Sequence, residues 1–115
     1  GGAGAYAEVV RGLLPVDVVH LGMGEDGHTA SLFPGSPALE ADPADLVVET
    51  GDEFHKHPRM TFTFSALAQS RLALFTIMGA GKRAMFSRIQ EGEPLPAGRV
   101  AAHRVLWLAD SAATA

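Results

Sequence analysis

Two apolar runs constrain this chain more than anything else in it. VDVVHL, residues 16–21, and LALFTIM, residues 72–78, are near-continuous in aliphatic and aromatic side chains. Such runs predict strands covered on both faces. Each runs directly into glycines, Gly22, Gly24 and Gly27 after the first and Gly79 and Gly81 after the second. Helical patterns lie around them. Tyr6, Val9, Val10, Leu13 and Leu14 stand at i, i+3, i+4, i+7 and i+8, one face of a helix that Pro15 ends. A short helix is expected over SALAQS from Ser65, another from about Lys82 to Gln90, and a terminal one over DSAATA capped by Asp110. LVVE (46–49) and HRVLWLA (103–109) read as further strands. RMTFTF (59–64) reads as a half-buried strand, with Met60, Phe62 and Phe64 inward and Arg59, Thr61 and Thr63 outward. Buried strands alternating with helices predict an α/β fold, a Rossmann-like, largely parallel sheet with flanking helices. Ligands of such sheets bind at the carboxyl ends of the strands, where both glycine turns lie.

The chain of 115 residues is enough for one domain with one core. A net charge of −4 gives no electrostatic reason to expect nucleic acid as a partner, and an anionic substrate needs a local basic cluster. With no cysteine, disulfides, thiolate metal sites and cysteine nucleophiles are excluded. No segment is long and apolar enough to span a bilayer, and the opening GGAGAYAEVV is not a basic-then-apolar leader, so no membrane partner and a cytoplasmic location are expected. That opening lacks methionine and enters a helical pattern almost at once, which suggests a processed product or a fragment.

Gly22, Gly24 and Gly27 have the G-x-G-x-x-G spacing of a dinucleotide-binding turn, and Glu49 follows at the end of the next strand, where a ribose-binding acid belongs. The spacing fails on the helix it requires. HTASLF after Gly27 meets Pro34, Gly35 and Pro37, and a proline inside a helix costs about 3 kcal/mol. What remains is a flexible turn whose N–H groups, from residues 22–27, can face a developing oxyanion and which then presents His28. His28 is placed for general acid–base work, or it caps the turn. Asp26 orients His28 or bonds its own turn.

Lys82, at the start of a helix after a glycine turn, suits a phosphate or stands solvated. Arg59 can take a phosphate bidentately or lie at the sheet rim. His55 and His57 flank Lys56 in a loop without a nearby third ligand, so no metal is expected. Ser31 lacks a nucleophile elbow. Trp107 reads as a core residue, and His20 as a core residue with its nitrogens bonded or as a second polar group near the site.

The wording of LGMGEDGHTASLFPGSPAL, followed in order by HPRMTFTFSAL, LALFTIMGAGKRAM, LPAGRV and WLAD, strongly resembles the 6-phosphogluconolactonase family. The resemblance covers nearly the whole chain and places it as the C-terminal portion of a single domain, residues 1–115. The family's N-terminal part, with another Gly-rich sugar-phosphate loop and an acidic–basic D-E-R block, is not in this sequence. The resemblance implies hydrolysis of 6-phospho-D-glucono-1,5-lactone to 6-phosphogluconate in the oxidative pentose phosphate pathway, without cofactor or metal. His28 would be the general base on water, with Asp26 beside it; the turn of Gly22, Gly24 and Gly27, with Lys82 and Arg59, would hold the substrate. Aminosugar-phosphate deaminases are similar, but typically carry a Glu after the histidine where Phe33 stands here. Sugar-phosphate-sensing domains of repressors also resemble this fold; they need a basic helix-turn-helix, and none is visible. The expected partner is a phosphorylated sugar lactone, with self-association or binding of the missing N-terminal half.

Overall fold

The computed structural model describes residues 2–50 and 59–114. Helix α1 (Gly2–Leu13) leads to strand β1 (Val18–Leu21), and after a long loop with one 3-10 turn come β2 (Val47–Thr50) and β3 (Arg59–Phe62). Helix α2 (Phe64–Ala68), strand β4 (Leu72–Ile77), helix α3 (Arg83–Gln90), strand β5 (Arg104–Ala109) and helix α4 (Ser111–Thr114) complete the order, with 3-10 turns before α3 and before β5. The principal sheet is parallel in the order β1-β4-β5, as the α/β pattern requires. β2 and β3 form a separate antiparallel pair.

The register gives the principal sheet two unlike faces. Leu21, Phe75 and Trp107 are neighbours across it, as are Ala73 and Val105. Phe75 and Trp107 stack with ring centroids 4.0 Å apart, and Phe86 of α3 packs on Trp107 at 5.4 Å. Leu21, Met23, Leu32, Leu67, Phe75 and Ile77 form the centre of the core on this side, with Trp107 packed at its margin. On the opposite face lie Val18 and His20, then Leu72, Leu74 and Thr76, then Leu106 and Leu108. This face is apolar yet uncovered: Val18 is 53% exposed and Leu108 51%. The expectation of strands buried on both faces is therefore corrected; β4 alternates between buried and half-buried residues, and β5 is mostly exposed. His20 stands on that open face, outside the core, with Nε2 against the Thr76 hydroxyl. The face predicted for α1 is likewise only partly used. Ala7 and Val10 pack against Leu46, Val47 and Ala66, while Tyr6, Val9 and Leu13 remain exposed.

RMTFTF departs in part from its predicted faces, although Phe62 and Phe64 are half-buried against the core and Arg59 is exposed. Thr61 and Thr63 are buried, and Met60 is exposed. Hydrogen bonding explains the buried threonines. The Thr61 hydroxyl accepts the Ser31 N–H at 3.1 Å and donates to the Phe62 carbonyl at 3.0 Å. The Thr63 hydroxyl donates to the Asp45 carbonyl at 2.6 Å and accepts the Ala66 N–H at 3.2 Å, so Thr63 caps α2, which begins at Phe64, one residue before the expected start. Buried hydroxyls that both donate and accept a hydrogen bond recover most of the cost of leaving water.

Candidate functional site

The loop after β1 closes on itself before it presents His28. The Gly24 N–H donates to the His28 carbonyl at 2.9 Å and the Gly27 N–H to the Gly24 carbonyl at 3.0 Å. The glycines therefore shape the turn, and two of the N–H groups expected to face a substrate are engaged within it. The Met23 and Glu25 N–H groups have no hydrogen-bond partner among the described residues. A Cβ on Gly24 would lie 2.1 Å from Cε1 and 2.2 Å from Nδ1 of His28, so the imidazole rests directly on a position that only glycine can fill. Gly27 has φ +87°, in the region that disfavours side chains, and its carbonyl accepts the Ala97 N–H at 2.9 Å. Gly22 contributes its carbonyl, which takes the Thr29 hydroxyl at 2.7 Å.

Asp26 and His28 form the centre of this arrangement. One carboxylate oxygen, Oδ1, accepts the His28 backbone N–H at 3.0 Å and lies 2.5 Å from ring Nδ1. Partial burial pushes the Asp26 carboxyl up, but the His28 N–H, the hydrogen bond and charge of the His28 ring, and Asp26's own N–H outweigh it and hold the group below the ordinary carboxylate range. The carboxylate is thus ionised near neutrality and can only accept, which makes Nδ1 the donor and leaves the lone pair of a neutral ring on Nε2. The His28 side chain is 31% exposed, beside an open cleft lined by Gly22, Met23, Gly24, Thr29 and Ala30. Phe33 packs beside it, with ring centroids 4.5 Å apart.

The second glycine turn approaches the first through Lys82, whose ammonium donates to the Met23 carbonyl. Residues 59 apart in sequence thus meet at the carboxyl ends of β1 and β4. Arg59 is not brought into this group. It is exposed on β3, its backbone pairs with the Thr50 hydroxyl, and its side chain has no hydrogen bond or ion pair among the described residues. His55, Lys56 and His57 lie outside the described residues; among those described, no cluster of His, Asp and Glu is arranged to hold a metal ion. Among the described residues no helix is long and apolar enough to cross a membrane.

Residues 1–107 match the family described as glucosamine-6-phosphate isomerases/6-phosphogluconolactonase. The chain belongs to this family. The human 6-phosphogluconolactonase is 40% identical over 107 residues, covering 87% of this chain and 41% of the human one. The 6-phosphogluconolactonase of Synechocystis is 35% identical over 114 residues, covering 94% of this chain and 46% of its own. Among solved structures, the 6-phosphogluconolactonase of Thermotoga maritima superposes with a TM-score of 0.78 at 35% identity, over 93% of this chain and 49% of that one. The chain spans about half the length of the relatives it matches.

Within this member of the isomerase/lactonase family, the site holds residues that sequence reasoning did not single out. Ala30 adopts φ +51°, a left-handed conformation for a non-glycine residue, two positions after His28. Met23 matters through its carbonyl, which carries no side-chain signature. The cap that Asp110 supplies to α4 was legible; its second attachment, to Gly79, was not.

Proposed function

We propose that these residues carry the chemical half of a lactonase site that hydrolyses 6-phospho-D-glucono-1,5-lactone to 6-phosphogluconate. His28 Nε2 takes a proton from a water that attacks C1 of the lactone. Asp26 keeps the imidazole in the tautomer that can do this and favours the imidazolium that forms. The Met23 and Glu25 N–H groups face the carbonyl oxygen as it gains charge, and Lys82 exchanges the Met23 carbonyl for the substrate's phosphate. Arg59 would have to swing toward Lys82 to join it. The chemistry uses no cofactor and no metal.

The observation that carries this reading is the Asp26–His28 pair, with one ring nitrogen bound to an ionised carboxylate and the other free of protein partners among the described residues. Phe33 favours hydrolysis over aminosugar-phosphate deamination. Its ring stands against His28 where a ring-opening site needs a proton carrier, whereas a lactone already has an electrophilic carbonyl. The names of the human, Synechocystis and Thermotoga relatives support the same reaction.

The bare apolar face of the sheet supports a further part of the reading. Val18, Leu106 and Leu108 form a surface that a second layer would cover, supplied by the portion of a lactonase-length chain that these residues do not span, or by self-association. The test is hydrolysis of the phosphorylated lactone, with spontaneous hydrolysis subtracted, in the full length in which the protein is made. His28→Ala should lower kcat by roughly a hundredfold or more, the scale of a lost general base. Near-parent activity in that variant would overturn the reading.

A further inference from the structure

Lys82 sits on a turn, Gly79 to Lys82, that is held from outside by a residue 31 positions away from its first member. The Gly79 N–H lies 3.1 Å from Oδ1 and 3.2 Å from Oδ2 of Asp110. The Gly79 carbonyl accepts the Lys82 N–H at 3.2 Å. The Gly79 residue is therefore pinned on both sides, by Asp110 at its N–H and by Lys82 at its carbonyl. Oδ1 of Asp110 also accepts the Ala113 N–H at 2.9 Å, which caps α4. The helix so capped braces the same region from another direction, because Arg83 Nε donates to the Ala112 carbonyl at 3.0 Å. Both routes end on adjacent residues, Lys82 and Arg83.

We propose that Asp110 is a positioning residue for phosphate binding, fixing the turn from which Lys82 reaches the His28 loop. This rests on the reading of Lys82 as the phosphate-holding cation. Asp110 itself touches neither Lys82 nor His28 in any hydrogen bond or ion pair among the described residues, so its effect passes through the turn. A carboxylate near an anion-binding turn opposes the anion by charge; its benefit here is geometric, since an ionised carboxylate is an acceptor only and can hold two N–H groups at once.

The experiment compares Asp110→Ala, which removes the acceptor, with Asp110→Asn, which keeps one acceptor oxygen on the same skeleton. Amide hydrogen exchange and lactone kinetics are measured on the protein in the full length in which it is made. In Asp110→Ala, the Gly79 and Lys82 amides should exchange at least tenfold faster, while those of Phe75 and Ile77 in β4 keep their protection. KM for the phosphorylated lactone should rise about tenfold with kcat within twofold, and the unphosphorylated lactone should be unaffected. Asp110→Asn should restore KM to within about threefold of the parent. Equal losses on both substrates, loosening of β4 together with the turn, an unchanged KM, or no rescue by asparagine would each overturn the proposal. A parent without lactonase activity but with the expected exchange pattern would overturn the functional reading and leave the hold of Asp110 on the turn standing.

Discussion

Replacing Asp26 with asparagine tests the site at its centre while changing little in shape. In the parent, Oδ1 binds both the His28 N–H and Nδ1, the latter at 2.5 Å. Asparagine can keep one acceptor, but its other group is a donor, and the carboxylate charge is gone. A hydrogen bond to a charged group contributes about 1.5–3 kcal/mol. If that is lost only in the transition state, where His28 becomes imidazolium, the rate falls by roughly 10- to 150-fold at about 1.4 kcal/mol per decade. The assay is steady-state hydrolysis of the phosphorylated lactone in the full length in which the protein is made, with the uncatalysed rate subtracted. The loss should fall on kcat, with KM nearly unchanged. The same variant reports on stability. The Asp26 carboxyl is held below its ordinary value in the folded chain, so the unfolded chain binds the extra proton first as pH falls. The stability Asp26 contributes is then fully present above its unfolded value of about 3.9 and lost as pH drops through the lower folded value. The gap in melting temperature between parent and Asp26→Asn should thus stay open above about pH 4 and close as the pH falls below it. A kcat within twofold of the parent, or a gap that widens toward acid, would refute the reasoning.

Four other outcomes are expected. Lys82→Ala should raise KM for the phosphorylated lactone by roughly tenfold or more, the loss of one charge-assisted contact, and leave the unphosphorylated lactone alone; an equal loss on both would assign Lys82 to the fold. Gly24→Ala places a methyl 2.1 Å from His28 Cε1, so the ring must move, and kcat should fall at least tenfold while the circular dichroism spectrum stays that of the parent. Ala30→Gly should raise the melting temperature by a few degrees, since a left-handed conformation costs a non-glycine residue about 1 kcal/mol. The 115-residue chain alone should sediment as more than a monomer and hydrolyse the lactone little or not at all, because the face of Val18, Leu106 and Leu108 is uncovered; a monodisperse, fully active monomer would refute both points.

The strands and helices were legible because each is written in its own few residues. The apolar run LALFTIM yields β4, and the i, i+3, i+4 spacing from Tyr6 yields α1. What those elements face was less legible, because facing is decided by partners elsewhere in the chain. Thr61 and Thr63 look like the wet side of a strand until Ser31, Asp45 and Ala66 are brought to them. Leu106 and Leu108 look like core until the register shows that nothing among the described residues stacks on their side of the sheet. Pattern reports what a side chain would prefer; packing decides whether that preference is met.

The candidate site divides along the same line. Asp26 and His28 are two residues apart, and the acceptor oxygen of one meets both N–H groups of the other within a single turn, so local sequence carries the pair. Gly24 was legible for the same reason, although its purpose is to make room for the imidazole and not to approach a pyrophosphate. Lys82 was visible as a cation at a helix start, but its link to Met23 joins two strand ends through a backbone carbonyl that no residue type advertises. Asp110 was visible as a cap, yet its hold on Gly79 appears only once β4 and β5 lie side by side. A residue that acts through side-chain chemistry on its own turn can be read from sequence. One that acts by meeting a distant backbone group needs the sheet assembled first, and Lys82 and Asp110 are of the second kind.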